Sequence, residues 1–149
     1  IMSSDWSSDV CSSDLGYATL YGDMSGALSI LGDVYKTDVY KLAEHINRDE
    51  EIIPENIMQK APSAELRPDQ KDTDALPEYE FLDKILFQYI ELQKSTPEII
   101  EEGFDEETVK KVVSMVNANE YKRYQAPPVL RISSKAFGAG RRMPLVAKY

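Results

Sequence analysis

Apolar residues recur at three- and four-residue spacing in several stretches of the chain, and that spacing predicts helices. The clearest case is Tyr79, Leu82, Ile85, Leu86, Tyr89 and Ile90, which share one face of an amphipathic helix, with Pro77 suited to its first turn. A second stretch carries Val39, Tyr40, Leu42, Ala43 and Ile46 behind Thr37, whose hydroxyl suits an N-cap. Thr96-Pro97-Glu98 predicts the start of a short helix that stops at Gly103. Beyond it, Asp105-Glu106-Glu107 opens a longer helix, with Val109, Val112, Val113, Val116 and Tyr121 as its apolar stripe. Acids lie in its first turn and bases in its last, as the helix dipole favours, and Pro127-Pro128 ends it.

The intervening stretches lack such periods. Residues 1–15 repeat a Ser-Ser-Asp triplet three times at irregular spacing, with little to bury. We expect this segment to be disordered or non-native, joined to a genuine reading frame at Gly16. Gly16 to Asp23 reads as the last turn of a helix ending at Gly22-Asp23. Ala27-Leu28-Ser29-Ile30-Leu31, closed by Gly32-Asp33, is a short strand or an extended loop. Acidic residues and Pro54 predict a loop and one helical turn over residues 49–59. A polar loop then follows Pro62-Ser63-Ala64-Glu65-Leu66, running through Arg67 to Asp74. One helical turn is expected near Ser133–Phe137 in an otherwise irregular tail. The whole pattern is mostly helical with few strand signals.

Composition narrows the class. The chain has 149 residues, 42% of them hydrophobic and 29% charged, in the ordinary range for one soluble domain with a real core. A single cysteine, Cys11, allows no internal disulfide and no cysteine metal cluster, and the lone His45 makes no histidine metal site by itself. No apolar run is long enough to span a membrane, and no secretory signal is visible at the start of the sequence. These features favour a reducing, cytoplasmic setting. A Walker-type loop, a dinucleotide fingerprint and a Ser/His/Asp set are all absent from these residues.

Charge adds one clue. The chain carries −9 overall, but residues 120–149 hold seven bases against one acid, Glu120. A basic corner on an acidic body would attract an anion such as a phosphate while repelling nucleic acid. Bases at a helix C-terminus equally serve to complement its dipole. Lys36 stands just before a predicted helix N-terminus, where backbone N–H groups and an ammonium together suit a phosphate; a solvated lysine is the plainer alternative.

Four segments, in order, resemble the C-terminal part of glutamine-dependent NAD synthetases. They are Gly16-Tyr17-Ala18-Thr19-Leu20-Tyr21-Gly22-Asp23-Met24, Leu31-Gly32-Asp33-Val34-Tyr35-Lys36-Thr37, Pro62-Ser63-Ala64-Glu65-Leu66 with Pro68-Asp69-Gln70-Lys71-Asp72, and Asn119-Glu120-Tyr121-Lys122-Arg123 with Gln125-Ala126-Pro127-Pro128. The resemblance covers residues 16–149. It implies an α/β nucleotide-binding parent fold, a parallel sheet with flanking helices, of which this portion would be mostly α-helical. It also implies amidation of deamido-NAD with ATP, Mg2+ and ammonia drawn from glutamine by a glutaminase domain, in a homo-oligomer. By the same resemblance, Lys36 and Ser63 would bind ATP, Lys122 and Tyr121 would bind deamido-NAD, and Asp23 would be structural or would support the residues that touch substrate. No catalytic residue is assigned.

The chain also departs from that pattern. Leu20 and Ala27 stand where the ammonia-dependent subfamily has a substrate-binding Lys and an Asp, so those contacts do not carry over. The Ser-Gly-Gly-x-Asp-Ser pyrophosphate loop, the acidic Mg2+-binding segment and the glutaminase residues are not in these 149 residues. We therefore expect a C-terminal portion that is inactive by itself. Helices parted from a sheet would expose Leu82, Ile85, Leu86, Val112 and Val116 and promote association. Two alternatives stand beside the ligase: a non-catalytic acidic helical interaction module, and another amidotransferase of the same nucleotide-binding superfamily.

Overall fold

A computed structural model describes residues 15–16, 25–60, 72 and 76–134. Within them the chain forms α1 (Lys36–Ile46), α2 (Glu55–Gln59), α3 (Tyr79–Leu86), a π-helical turn (Phe87–Glu91), α4 (Thr96–Glu101), α5 (Glu106–Ala118) and α6 (Glu120–Gln125). No strand occurs among the described residues. One isolated parallel bridge joins Ser29 to Val129, so Ala27–Leu31 is an extended loop and not a strand.

The predicted amphipathic stripes form the core, but against each other. α3 packs against both α1 and α5, and α4 and the π-turn close the side between them. Leu82, Ile85, Leu86, Ile90, Ile99, Val109, Val112 and Val116 are all buried in one cluster with Leu15 and Leu76. Each fully buried Leu, Ile or Val stabilises by about 1.5–3 kcal/mol. The expectation that Leu82, Ile85, Leu86, Val112 and Val116 face outward is therefore corrected: helix-on-helix packing covers them without a sheet. Exposed apolar side chains include Phe81, Phe87 and Leu92 on the outer side of α3 and the π-turn, and Leu28, Ile30, Leu130 and Ile132 around the bridge. Leu15, the last residue of the segment expected to be disordered or non-native, is helical and fully buried. Residues 1–14 lie outside the described residues.

Local signals set the helix ends, with shifts of one residue. Glu98 accepts from both the N–H and the hydroxyl of Ser95, at 2.7 and 2.6 Å, so the cap of α4 is Ser95 and not Thr96. Asp105 accepts from the Thr108 N–H at 2.8 Å and caps α5. Gly103, at φ +97°, ends α4 in a conformation other residues avoid. The long helix expected to run through Tyr121 breaks at Asn119, whose side-chain amide donates to the carbonyls of Met115 (2.9 Å) and Leu15 (2.7 Å). The break turns Tyr121 off the apolar stripe, and it is 44% exposed. α3 instead continues as the π-turn, closed by the Leu92 N–H donating to Phe87 O at 3.1 Å. After it, Gln93 takes φ +55° and lets the Lys94 N–H reach Gln88 O at 3.0 Å.

Candidate functional site

The corner Tyr35-Lys36-Thr37 begins α1, and one face of the α3 helix grips it. Residues four apart on a helix lie one above another, so Tyr79, Asp83 and Phe87 form a row. Each meets one residue of the corner. Phe87 packs edge-on against Tyr35, with ring centroids 6.4 Å apart. Tyr79 presents its ring to Lys36, whose Nζ lies 5.6 Å from the centroid. Asp83 accepts from the Thr37 N–H at 2.9 Å.

The expected helix start is corrected here. Lys36 is the first residue of α1 and does not precede it, and Tyr35 takes the N-cap position expected of Thr37. The free N–H at the helix start is already matched by the Asp83 carboxylate, an anion supplied by the protein. The next two N–H groups, of Asp38 and Val39, both donate to Tyr35 O at 2.9 Å. Lys36 itself is only 4% exposed.

A buried ammonium needs anionic or aromatic company. Tyr79 supplies the ring, and its hydroxyl donates to Asp72 Oδ2 at 2.5 Å. Asp72 is 8% exposed, and its Oδ1 has no hydrogen-bond partner. Two of the four segments singled out in the sequence thus meet here, through Lys36 and Asp72. A groove of about 640 Å³ opens on the neighbouring surface between α1, α3 and residues 92–104, and Thr37, Asp83 and Phe87 line it.

The other two segments meet at a second junction. Lys122 donates to Gly16 O at 2.6 Å, and Asn119 holds Leu15 O beside it. Glu120 and Arg123 are buried, with Arg123 Nη1 3.3 Å from Glu120 Oε2. Part of the basic corner is thus matched inside the protein. Arg131 is likewise turned onto its own chain, donating to the carbonyls of Ser133, at 3.0 Å, and Ser134. Asp33 completes the join: its carboxylate accepts from the N–H groups of Ile132 (2.6 Å) and Ser133 (2.7 Å) and from the Ser133 hydroxyl (3.0 Å).

Of the predicted site residues, Lys36, Tyr121 and Lys122 are placed, while Ser63 and Asp23 lie outside the described residues. Tyr79 and Asp83 were not marked as site residues in the sequence, the first because it reads as one more apolar residue, and Asp72 was marked only as the end of a segment, with no role of its own. A signal existed in Asp83: an acid on the buried face of a helix requires a donor from elsewhere. No group of three or more His, Cys, Asp or Glu among the described residues could hold a metal ion. None of the helices among them is long and apolar enough to cross a membrane.

A family model described as NAD synthase matches residues 7–126. The glutamine-dependent NAD(+) synthetase of Acinetobacter baylyi is 54% identical over 134 residues, covering 89% of this chain and 25% of the relative. The enzyme of that name from Thermotoga maritima is 52% identical over 136 residues, covering 90% and 24%. Among solved structures, the Acinetobacter baumannii glutamine-dependent NAD+ synthetase in complex with ADP is 41% identical, with a TM-score of 0.48, and the match covers 93% of this chain and 24% of that one. The chain belongs to the NAD synthase family. It spans about a quarter of the length of the curated relatives it matches.

Proposed function

We propose that the chain is part of a ligase that amidates deamido-NAD to NAD. ATP adenylates the nicotinate carboxylate, pyrophosphate leaves, and ammonia derived from glutamine displaces the adenylate to form the amide. The observation that carries this reading is identity above 50% to enzymes of that name across nine-tenths of the chain. Charge moves onto the departing pyrophosphate in the first step, and fixed cations stabilise it there. We assign Lys36 and Ser63 to ATP, and Lys122 and Tyr121 to deamido-NAD. Tyr121 is exposed enough to lie beside a dinucleotide, and Lys122 ties its helix to Gly16. ATP and Mg2+ are the ligase's cofactors in this reading, and no Mg2+ ligand is assigned among these residues. A parallel sheet, a glutaminase domain and a homo-oligomeric assembly belong to the same proposal.

A chimera tests it. Residues 16–149 replace the matching quarter of the Acinetobacter baylyi enzyme, and NAD formation from deamido-NAD, ATP and glutamine is followed. The chimera is expected to be active, with Lys36→Ala raising the KM for ATP and Lys122→Ala that for deamido-NAD. The 149-residue chain assayed alone is expected to form no NAD, because its residues include no pyrophosphate loop. A folded but inactive chimera, or normal kinetics in both variants, would overturn the proposal.

A further inference from the structure

A lysine ammonium on four rotatable bonds is a poor fixed charge unless something holds it. Catalysis of phosphoryl and adenylyl transfer depends on charges already in place when the leaving group departs. The question for this chain is what holds Lys36.

The Tyr35-Lys36-Thr37 backbone is fixed first. Asp83 binds the Thr37 N–H and Phe87 packs on Tyr35, so the root of the lysine is set by two residues of one helix face. Tyr79, one turn earlier on the same face, lies under the ammonium at 5.6 Å. The Tyr79 ring is itself held by its hydroxyl, which donates to Asp72 Oδ2 at 2.5 Å. A phenol donating to a carboxylate gains electron density, and the ring face attracts a cation more strongly for it. Asp72 is buried, with its Oδ1 left without a hydrogen-bond partner. Such a carboxylate is costly to keep unless it serves the cluster around it.

We infer that Tyr79 is a positioning residue that holds the Lys36 ammonium for the phosphates of ATP, and that Asp72 acts through Tyr79 by fixing its ring. The inference rests on the ligase reading above. Neither Tyr79 nor Asp72 touches the reacting atoms in this scheme. The two parts of Tyr79 separate cleanly: the ring meets Lys36, and the hydroxyl meets Asp72.

The active chimera again provides the test, with melting temperature recorded for every variant. Tyr79→Leu removes the ring and is expected to raise the KM for ATP about tenfold, in line with a partly desolvated cation–π contact. The KM for deamido-NAD should stay within about twofold, a split that a general loss of packing would not give. Tyr79→Phe keeps the ring and should recover most of the loss, while Asp72→Asn should resemble Tyr79→Phe. In the 149-residue chain, the Lys36 side-chain protons should be shifted upfield by the Tyr79 ring in NMR spectra and lose that shift in Tyr79→Leu. An active chimera whose KM for ATP is unmoved by Tyr79→Leu overturns this inference alone. Absence of the ring-current shift overturns it as well. A folded chimera that makes no NAD with the unmutated segment removes the ligase reading and this inference together.

Discussion

Gly16 shows how much one residue can decide. It adopts φ +62°, and a Cβ added there would lie 2.3 Å from the Asn119 Cβ. Its carbonyl takes the Lys122 ammonium while the preceding carbonyl takes the Asn119 amide. Gly16→Ala is expected to cost about 1–2 kcal/mol from the backbone conformation alone, with more added as Asn119 is pushed aside. Urea unfolding of the two proteins would measure it, and an unchanged midpoint would show that the junction is not formed. The sequence marked Gly16 and the Asn119 segment separately. Their meeting was invisible there, because a close backbone approach leaves no periodic trace. Lys36 was likewise legible as a helix-start lysine, whereas its aromatic bed was not, since Tyr79 completes an apolar stripe equally well.

At the level of single elements, the caps of α4 and α5 were read to within a residue, because Ser, Thr, Asp and Glu at helix starts act through short-range hydrogen bonds, whereas the start of α1, which has no side-chain cap, was read two residues late. These caps also predict a response to acid. Hydrogen bonds from Ser95 hold the Glu98 carboxyl below its ordinary 4.5, and those from Thr108 hold Asp105 below 3.8. A carboxyl depressed in the folded state stabilises fully above its unfolded value and loses that contribution as pH falls through the folded value. Stability of α4 and α5 is therefore expected to decline between about pH 5 and pH 2. Asp105→Asn keeps an acceptor without a titration, so thermal melts across that range should show a shallower acid limb; an identical limb would count against the cap. What the sequence did not reveal is the π-turn and the break at Asn119. Both follow from packing: α3 must bury Ile90 as well as Leu86, and Asn119 is drawn to the Leu15 carbonyl.

For the molecule as a whole, the apolar patterns of α3 and α5 picked out most of the core but not what buries it, and Leu42 and Ile46 of the α1 pattern stay exposed. The helices cover their inner faces with one another, and bare apolar side chains remain on outer faces, at Phe81, Phe87 and Leu92, and around the bridge between residues 28–31 and 128–132. There Ile30 is 63% exposed and Ile132 68%. Bare apolar side chains clustered on one surface favour association. The 149-residue chain is thus expected to self-associate, and Ile30→Lys with Ile132→Lys to reduce it, as light scattering over a concentration series would show. A monomeric unmutated chain would refute this.

The same junctions have a temporal consequence. Asn119 meets Leu15 across 104 positions, Lys122 meets Gly16 across 106, and Asp33 meets Ser133 across 100. Contacts that span so much chain form late, after the entropy of closing the loop has been overcome. The α3–α5 core is local by comparison and can assemble while the polypeptide is still leaving the ribosome. At synthesis rates of about 5–20 residues per second, the early segment waits roughly 5–20 s for its partners to be made. During that interval the Leu15 and Gly16 carbonyls and the Asp33 carboxylate wait for Asn119, Lys122 and Ser133, which makes these junctions the last part of the fold to close.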